Sequence, residues 1–169
     1  CQTGGVGITG AVRNQIAGWV PGQYPSRMPA DTALVLPAGS RLVMQLHYNL
    51  NALADPAVSP FDETKLALET VPMNTLRKGQ ILPMLKPNLA IAAGDTNSVQ
   101  VTEVPVPASF RNATIFRAMG HAHQLATQVK LEVVKADGST TCVLDNPRWD
   151  FNWQRDYTLK TPVTLVQGD

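Results

Sequence analysis

An all-β fold is predicted by three observations. Thirteen prolines and twelve glycines are scattered through the 169 residues, leaving uninterrupted amphipathic helices little room. Short runs rich in Val, Leu, Ile and Thr recur between turn residues. Several of these runs alternate apolar and polar side chains with the period of two that one half-buried face of a sheet requires.

The first elements follow in chain order. Residues 19–40 carry Pro21-Gly22, Pro25, Pro29 and Pro37-Ala38-Gly39, the signature of an irregular, turn-rich approach. Residues 41–48, RLVMQLHY, alternate Leu42, Met44, Leu46 and Tyr48 against Arg41, Val43, Gln45 and His47, which predicts a strand. Met44 falls on its apolar face and is expected in the core. Residues 49–63 lose the alternation and carry Pro56 and Pro60; they mark a boundary, with a linker at 53–63 between segments 1–52 and 64–169.

A second group of strands is expected at 64–71, 97–106, 112–123, 127–135, 140–145, 149–159 and 162–167, a spacing that suggests a sandwich. Ala136-Asp137-Gly138 supplies a hairpin turn between two of them. In WDFNWQ, period two puts Trp149, Phe151 and Trp153 on one face, and the three rings are expected to fill the space between sheets. The opening at Cys1, with no initiator methionine, and the stop after Gly168-Asp169 lead us to expect a processed product or a fragment.

Composition narrows the function. Hydrophobic residues make up 44% of the chain and can fill a core, while charged residues make up 16% with a formal net charge of +1. No basic stripe suited to a phosphate backbone is present, so nucleic acid is not an expected partner. No apolar run is long enough to span a bilayer, and no transmembrane segment is expected. Cys1 and Cys142 have three arrangements open to them: a mutual disulfide, bridges to outside partners, or free thiols. For Cys142 a small buried hydrophobe or a half-cystine is favoured over a nucleophile. We expect a secreted or periplasmic setting. Asn112-Ala113-Thr114 has the form of a glycosylation acceptor, a three-residue match common by chance.

No Gly-X-Ser-X-Gly, phosphate-binding loop or dinucleotide fingerprint occurs. Asp145, Asp150 and Asp156 lie near strand ends, where carboxylates are usually solvated surface. The chemistry-bearing pattern is the histidine set: His47, His121 and His123 are all the chain has. In a strand, residues i and i+2 share a face with Cα atoms roughly 6.5–7 Å apart, so His121 and His123 can aim both imidazoles at one ion. Two imidazoles suit copper, zinc, iron and nickel alike. A bare His-X-His is more often a pair satisfying local hydrogen bonds; here all three histidines are expected in strands or at their ends.

Four motifs, in order and spacing, resemble a known family: GWVPGQYP, LPAGSRLVMQLHYN, HAHQLATQV and DFNWQRDYTLKTPVTLVQGD. The similarity is to the copper type II ascorbate-dependent monooxygenases, which include peptidylglycine α-hydroxylating monooxygenase and dopamine β-monooxygenase. It runs from about Gly18 to Asp169, and the WDFNWQ form looks most like the bacterial branch. The resemblance implies a jelly-roll-like β-sandwich architecture. Residues 1–52 would be the end of a first copper domain and 64–169 most of a second, catalytic one.

It also implies two copper ions, with ascorbate as reductant and with dioxygen and an organic small molecule as substrates. His47 would be one of three histidines on the electron-transfer copper. His121 and His123 would be two ligands of the catalytic copper, completed by a methionine whose soft sulfur favours Cu(I).

The chain departs from the family pattern at several points. The family's adjacent His-His pair should precede Cys1, and its methionine ligand should follow Asp169. Met28, Met44, Met73, Met84 and Met119 all lie before that position. Met119 also stands where peptide-specific members carry a carboxylate-binding arginine, and a thioether cannot make that bidentate pair. Arg117 is two residues further back, so a peptide-glycine substrate is not implied. Two other expectations stand beside the enzyme: a non-catalytic metal-binding or adhesive β-sandwich keeping the same fold, and, ranked last, a structural zinc site, which normally takes four ligands.

Overall fold

The structure is a computed structural model that describes residues 15–20, 23–46, 48, 61–72, 76–86, 88–166 and 169. Its described regular structure is six β-strands and two three-residue 3-10 turns, so the chain is strand-rich with almost no helix. No helix among the described residues is long and apolar enough to cross a membrane. The chain divides into two compact units, one comprising Cys1–Ile16 and Arg27–Ile81, the other Ala17–Ser26 and Leu82–Asp169.

In the first unit β1 (Thr32–Leu34) pairs in parallel with β2 (Arg77–Gly79). Gly79 permits this approach, because a Cβ there would meet the Met28 methyl at 2.5 Å and Thr32 Cγ2 at 3.2 Å. The strand expected over 41–48 does not form: residues 41–46 lie outside any ladder, and Met44, expected in the core, is 48% exposed. The run at 64–71 is likewise unpaired and exposed. Alternation says which side chains would share a face; without a partner strand that face stays in water. His47 and residues 53–60 of the expected linker lie outside the described residues.

The second unit is two antiparallel ribbons. β3 (Thr114–Met119) pairs with β6 (Asp156–Thr164), and β4 (Val129–Val134) pairs with β5 (Thr140–Asn146). β5 packs against both β3 and β6. The resulting core is Ala118, Val133, Val143, Leu144 and Leu165, flanked by half-buried Phe110, Ile115, Leu131, Tyr157 and Val163. Val143 and Leu144 are consecutive yet both buried, because the register shifts by one residue between Leu131 and Glu132 and such a bulge interrupts alternation. Lys135 Nζ ties the ribbons together at one end, donating to the Thr164 carbonyl at 3.2 Å and to Asp169 Oδ2 at 2.9 Å.

The hairpin turn forms where the sequence places it. Lys135 N donates to Ser139 O at 2.7 Å around a three-residue loop, and Gly138 takes φ +82°, the left-handed position such a loop reserves for glycine. Asp137 Oδ1 accepts from Ser139 N at 2.9 Å and from its hydroxyl at 2.6 Å. Four other expected elements differ. Residues 97–106 form no ladder, the runs at 149–159 and 162–167 give way to a 3-10 turn and the single strand β6, and the strand over 112–123 ends at Met119. β6 absorbs Pro162, which has no N–H to give, at a register shift opposite Phe116.

Two outcomes test this packing. Leu144→Ala removes a core side chain and is expected to lower the unfolding free energy by about 2–3 kcal/mol in denaturant titration, whereas Val134→Ala on the exposed side changes it by less than about 0.5 kcal/mol. The Ser139 hydroxyl and backbone N–H hold the Asp137 carboxyl below its ordinary value. Its contribution is therefore complete above the ordinary carboxylate range and lost as pH falls through the lowered folded value. Asp137→Ala should flatten the acid limb of a stability-versus-pH curve and leave its alkaline limb unchanged.

Candidate metal centre

The register of the β3–β6 ribbon builds the site. Arg117 opposes Thr158, Ala118 opposes Tyr157 and Met119 opposes Asp156, so the same pairing carried past the end of β3 sets His121 opposite Gln154. The two side chains meet there: His121 Nδ1 is hydrogen-bonded to Gln154 Oε1. Arg117, Met119 and His121 thus continue one face, with Asp156 and Gln154 continuing the facing row.

Gly120 anchors the approach to the histidines. It is buried, and a Cβ on it would stand 2.8 Å from Val129 Cγ1 and 3.4 Å from the Trp149 ring. Trp149 is itself held by its backbone N–H, which donates to the Thr127 carbonyl at 2.9 Å and extends the β4–β5 ribbon. Beyond the pair, Ala126 N donates to His123 O at 3.1 Å and turns the chain toward β4. His121 and His123 therefore sit between a tight backbone contact and a turn.

Both imidazoles are exposed, and their ring centres are 5.4 Å apart with the planes nearly perpendicular, at 87°. The strand geometry expected at 121–123 is corrected: these residues lie outside any ladder, yet the rings still converge. His123 also rests edge-on against Phe151, with ring centres 6.2 Å apart. A bond to a metal of about 2.0 Å places an imidazole centre about 3.2 Å from the ion, so two rings on one ion can have centres up to about 6.4 Å apart. The observed 5.4 Å lies within that limit, and imidazole is a donor that suits copper. Among the described residues no group of three or more His, Cys, Asp or Glu gathers to hold an ion.

The support comes from a segment whose form the sequence did not predict. The expected aromatic face of 149–153 is a 3-10 turn, Phe151–Trp153, and Trp153 is 63% exposed instead of packing between sheets. Asp150 starts the turn by accepting from Asn152 N at 2.8 Å; an aspartate bonding the backbone two residues on is a turn signal. Gln154 and Phe151, which touch the two histidines, were missed for this reason. A small cavity nearby is lined by Asn146, Arg148, Trp149, Asp150, Trp153 and Tyr157, so the histidines stand on open surface outside it.

One further cluster stiffens the ribbon next to the pair. Arg117 Nε lies 3.0 Å from Asp156 Oδ2, with both side chains about four-fifths buried. Gln23 Nε2 donates to Asp156 Oδ1 at 2.6 Å, and an Arg117 terminal nitrogen donates to Ser26 Oγ. This ties Gln23 and Ser26 to the ribbon, so Arg117 is occupied structurally. Asp145, Asp150 and Asp156 do not form a carboxylate cluster: Asp145 accepts from Gln128 at 2.8 Å, Asp150 starts the turn, and Asp156 holds Arg117. Cys142 carries a free thiol and is exposed, which corrects its reading as a buried side chain. Comparison with protein-family models, with characterised proteins and with solved structures found no match.

Gly120→Ala is expected to destabilise the chain by about 1–3 kcal/mol and to perturb the imidazole resonances of both histidines in NMR spectra. Arg117→Met leaves the Asp156 carboxylate short of a charged partner and should cost about 1–3 kcal/mol of stability in denaturant titration, with the Gln23 amide losing exchange protection.

Proposed function

We propose that this chain belongs to a copper-dependent monooxygenase that hydroxylates a C–H bond of an organic small molecule, using dioxygen and an ascorbate-like reductant in a secreted or periplasmic setting. The observation that carries the reading is the convergence of His121 and His123, supported from the far side by Gln154 and Phe151. It is joined by the ordered resemblance of four motifs to the copper type II ascorbate-dependent monooxygenases. The finer architecture goes with the proposal: two jelly-roll-like sandwiches, with residues 64–169 contributing to the catalytic one.

In this reading His121 and His123 hold one copper, which when bound supplies dioxygen binding and one-electron chemistry. The chain's own part is to keep two imidazoles side by side at a solvent-open position. His47 belongs to a second, electron-transfer copper; the family pattern adds a His-His pair to that site and a methionine to the first. Met119 and the occupied Arg117 offer no free cation to a peptide carboxylate, which favours a substrate without one.

A second reading, a non-catalytic metal-binding or adhesive β-sandwich, draws on the absence of a third His, Cys, Asp or Glu beside the pair among the described residues. The two are separated by ascorbate-driven oxygen consumption in the full-length copper-loaded protein. The enzyme reading expects substrate-coupled uptake that falls at least about 100-fold in His121→Ala and in His123→Ala while both variants remain folded. Uptake retained in both variants would contradict it.

A further inference from the structure

The hydrogen bonds of Gln154 determine more than its own position. Its Nε2 donates to the Phe151 carbonyl at 2.9 Å, and a carbonyl can only accept. The amide is therefore oriented: nitrogen toward the turn, oxygen toward His121. That oxygen is the atom bonded to His121 Nδ1, and an amide oxygen can only accept, so Nδ1 must carry the proton. In a neutral ring the other nitrogen then has no hydrogen and presents its lone pair.

We propose that Gln154 is a positioning residue that locks His121 in the Nδ1–H tautomer and so presents Nε2 as a ready metal ligand. The inference rests on the copper reading only for the identity of the ion. Ligating histidines generally give their other ring N–H to a neighbouring oxygen, which fixes both tautomer and ring orientation. Here the donor–acceptor chain runs Phe151 O, Gln154 amide, His121 ring. The 3-10 turn thus holds His121 through a hydrogen bond and touches His123 through the Phe151 ring. The turn at 151–153 works as a bracket for both imidazoles. Its conformation is in turn set by Asp150, whose carboxylate accepts from Asn152 N.

The test begins without metal. Long-range proton–nitrogen NMR on the metal-free chain, at a pH where the ring is neutral, reads which His121 nitrogen is protonated. The Nδ1–H form is expected; a dominant Nε2–H form overturns the proposal whether or not the protein binds copper. Gln154→Leu should release the ring to a mixture of tautomers and weaken Cu(I) affinity about 10–100-fold in competition titration. Gln154→Glu loses the donor to the Phe151 carbonyl but keeps an acceptor oxygen within reach of the ring, and should still favour the Nδ1–H form over Gln154→Leu. A Gln154→Leu spectrum identical to that of the unaltered chain overturns the assignment. An Nδ1–H tautomer in a protein that takes up no copper supports the role of Gln154 while removing the copper reading.

Discussion

The antiparallel register between β3 and β6 is the constraint on which the candidate site depends. With Met119 opposite Asp156, the chain leaving β3 runs alongside the approach to β6, and His121 meets Gln154 there. A slip of one residue would send every side chain in the row to the opposite face. The register is held by packing as well as by ladder bonds: Ala118 is buried between the ribbons, and the largely buried Arg117–Asp156 pair ties the opposite face. Structure made for burial thereby delivers two polar side chains to an exposed position.

Gly120 shows how backbone geometry enters the chemistry. The chain leaves β3 under the Trp149 ring and against Val129 with no room for a methyl group, and a hydrogen bond from Ala126 N to His123 O closes the other side. Between those two points the intervening residues have little freedom. Two imidazoles confined in this way lose less entropy on meeting an ion than two on a loose loop would. Phe151 and Gln154 then act on one ring each, the first by contact and the second by hydrogen bonding.

Much of this was legible in the sequence, but unevenly. The His-X-His pair, the Asp137-Gly138 turn and the strands beginning near Thr114, Val129 and Thr140 follow from local pattern and turn chemistry. The run at 41–48 alternates as well as any of them, yet it finds no ladder, because alternation is a property of one strand whereas pairing belongs to two. WDFNWQ misleads for a different reason. Three aromatic residues at period two resemble a core face, but Asp150 accepting from the backbone two residues on converts them into a turn. Gln154 was then unreadable: its partner is 33 positions away, and only the tertiary register brings them together.

The proposal that both imidazoles hold one copper can be checked by electron spin-echo envelope modulation on the chain loaded with one equivalent of Cu(II). The remote ring nitrogens of bound imidazoles modulate the echo, and combination lines count them. Two imidazoles are expected, falling to one in His121→Ala or His123→Ala. A modulation from no imidazole, or one unchanged in both variants, would contradict the claim.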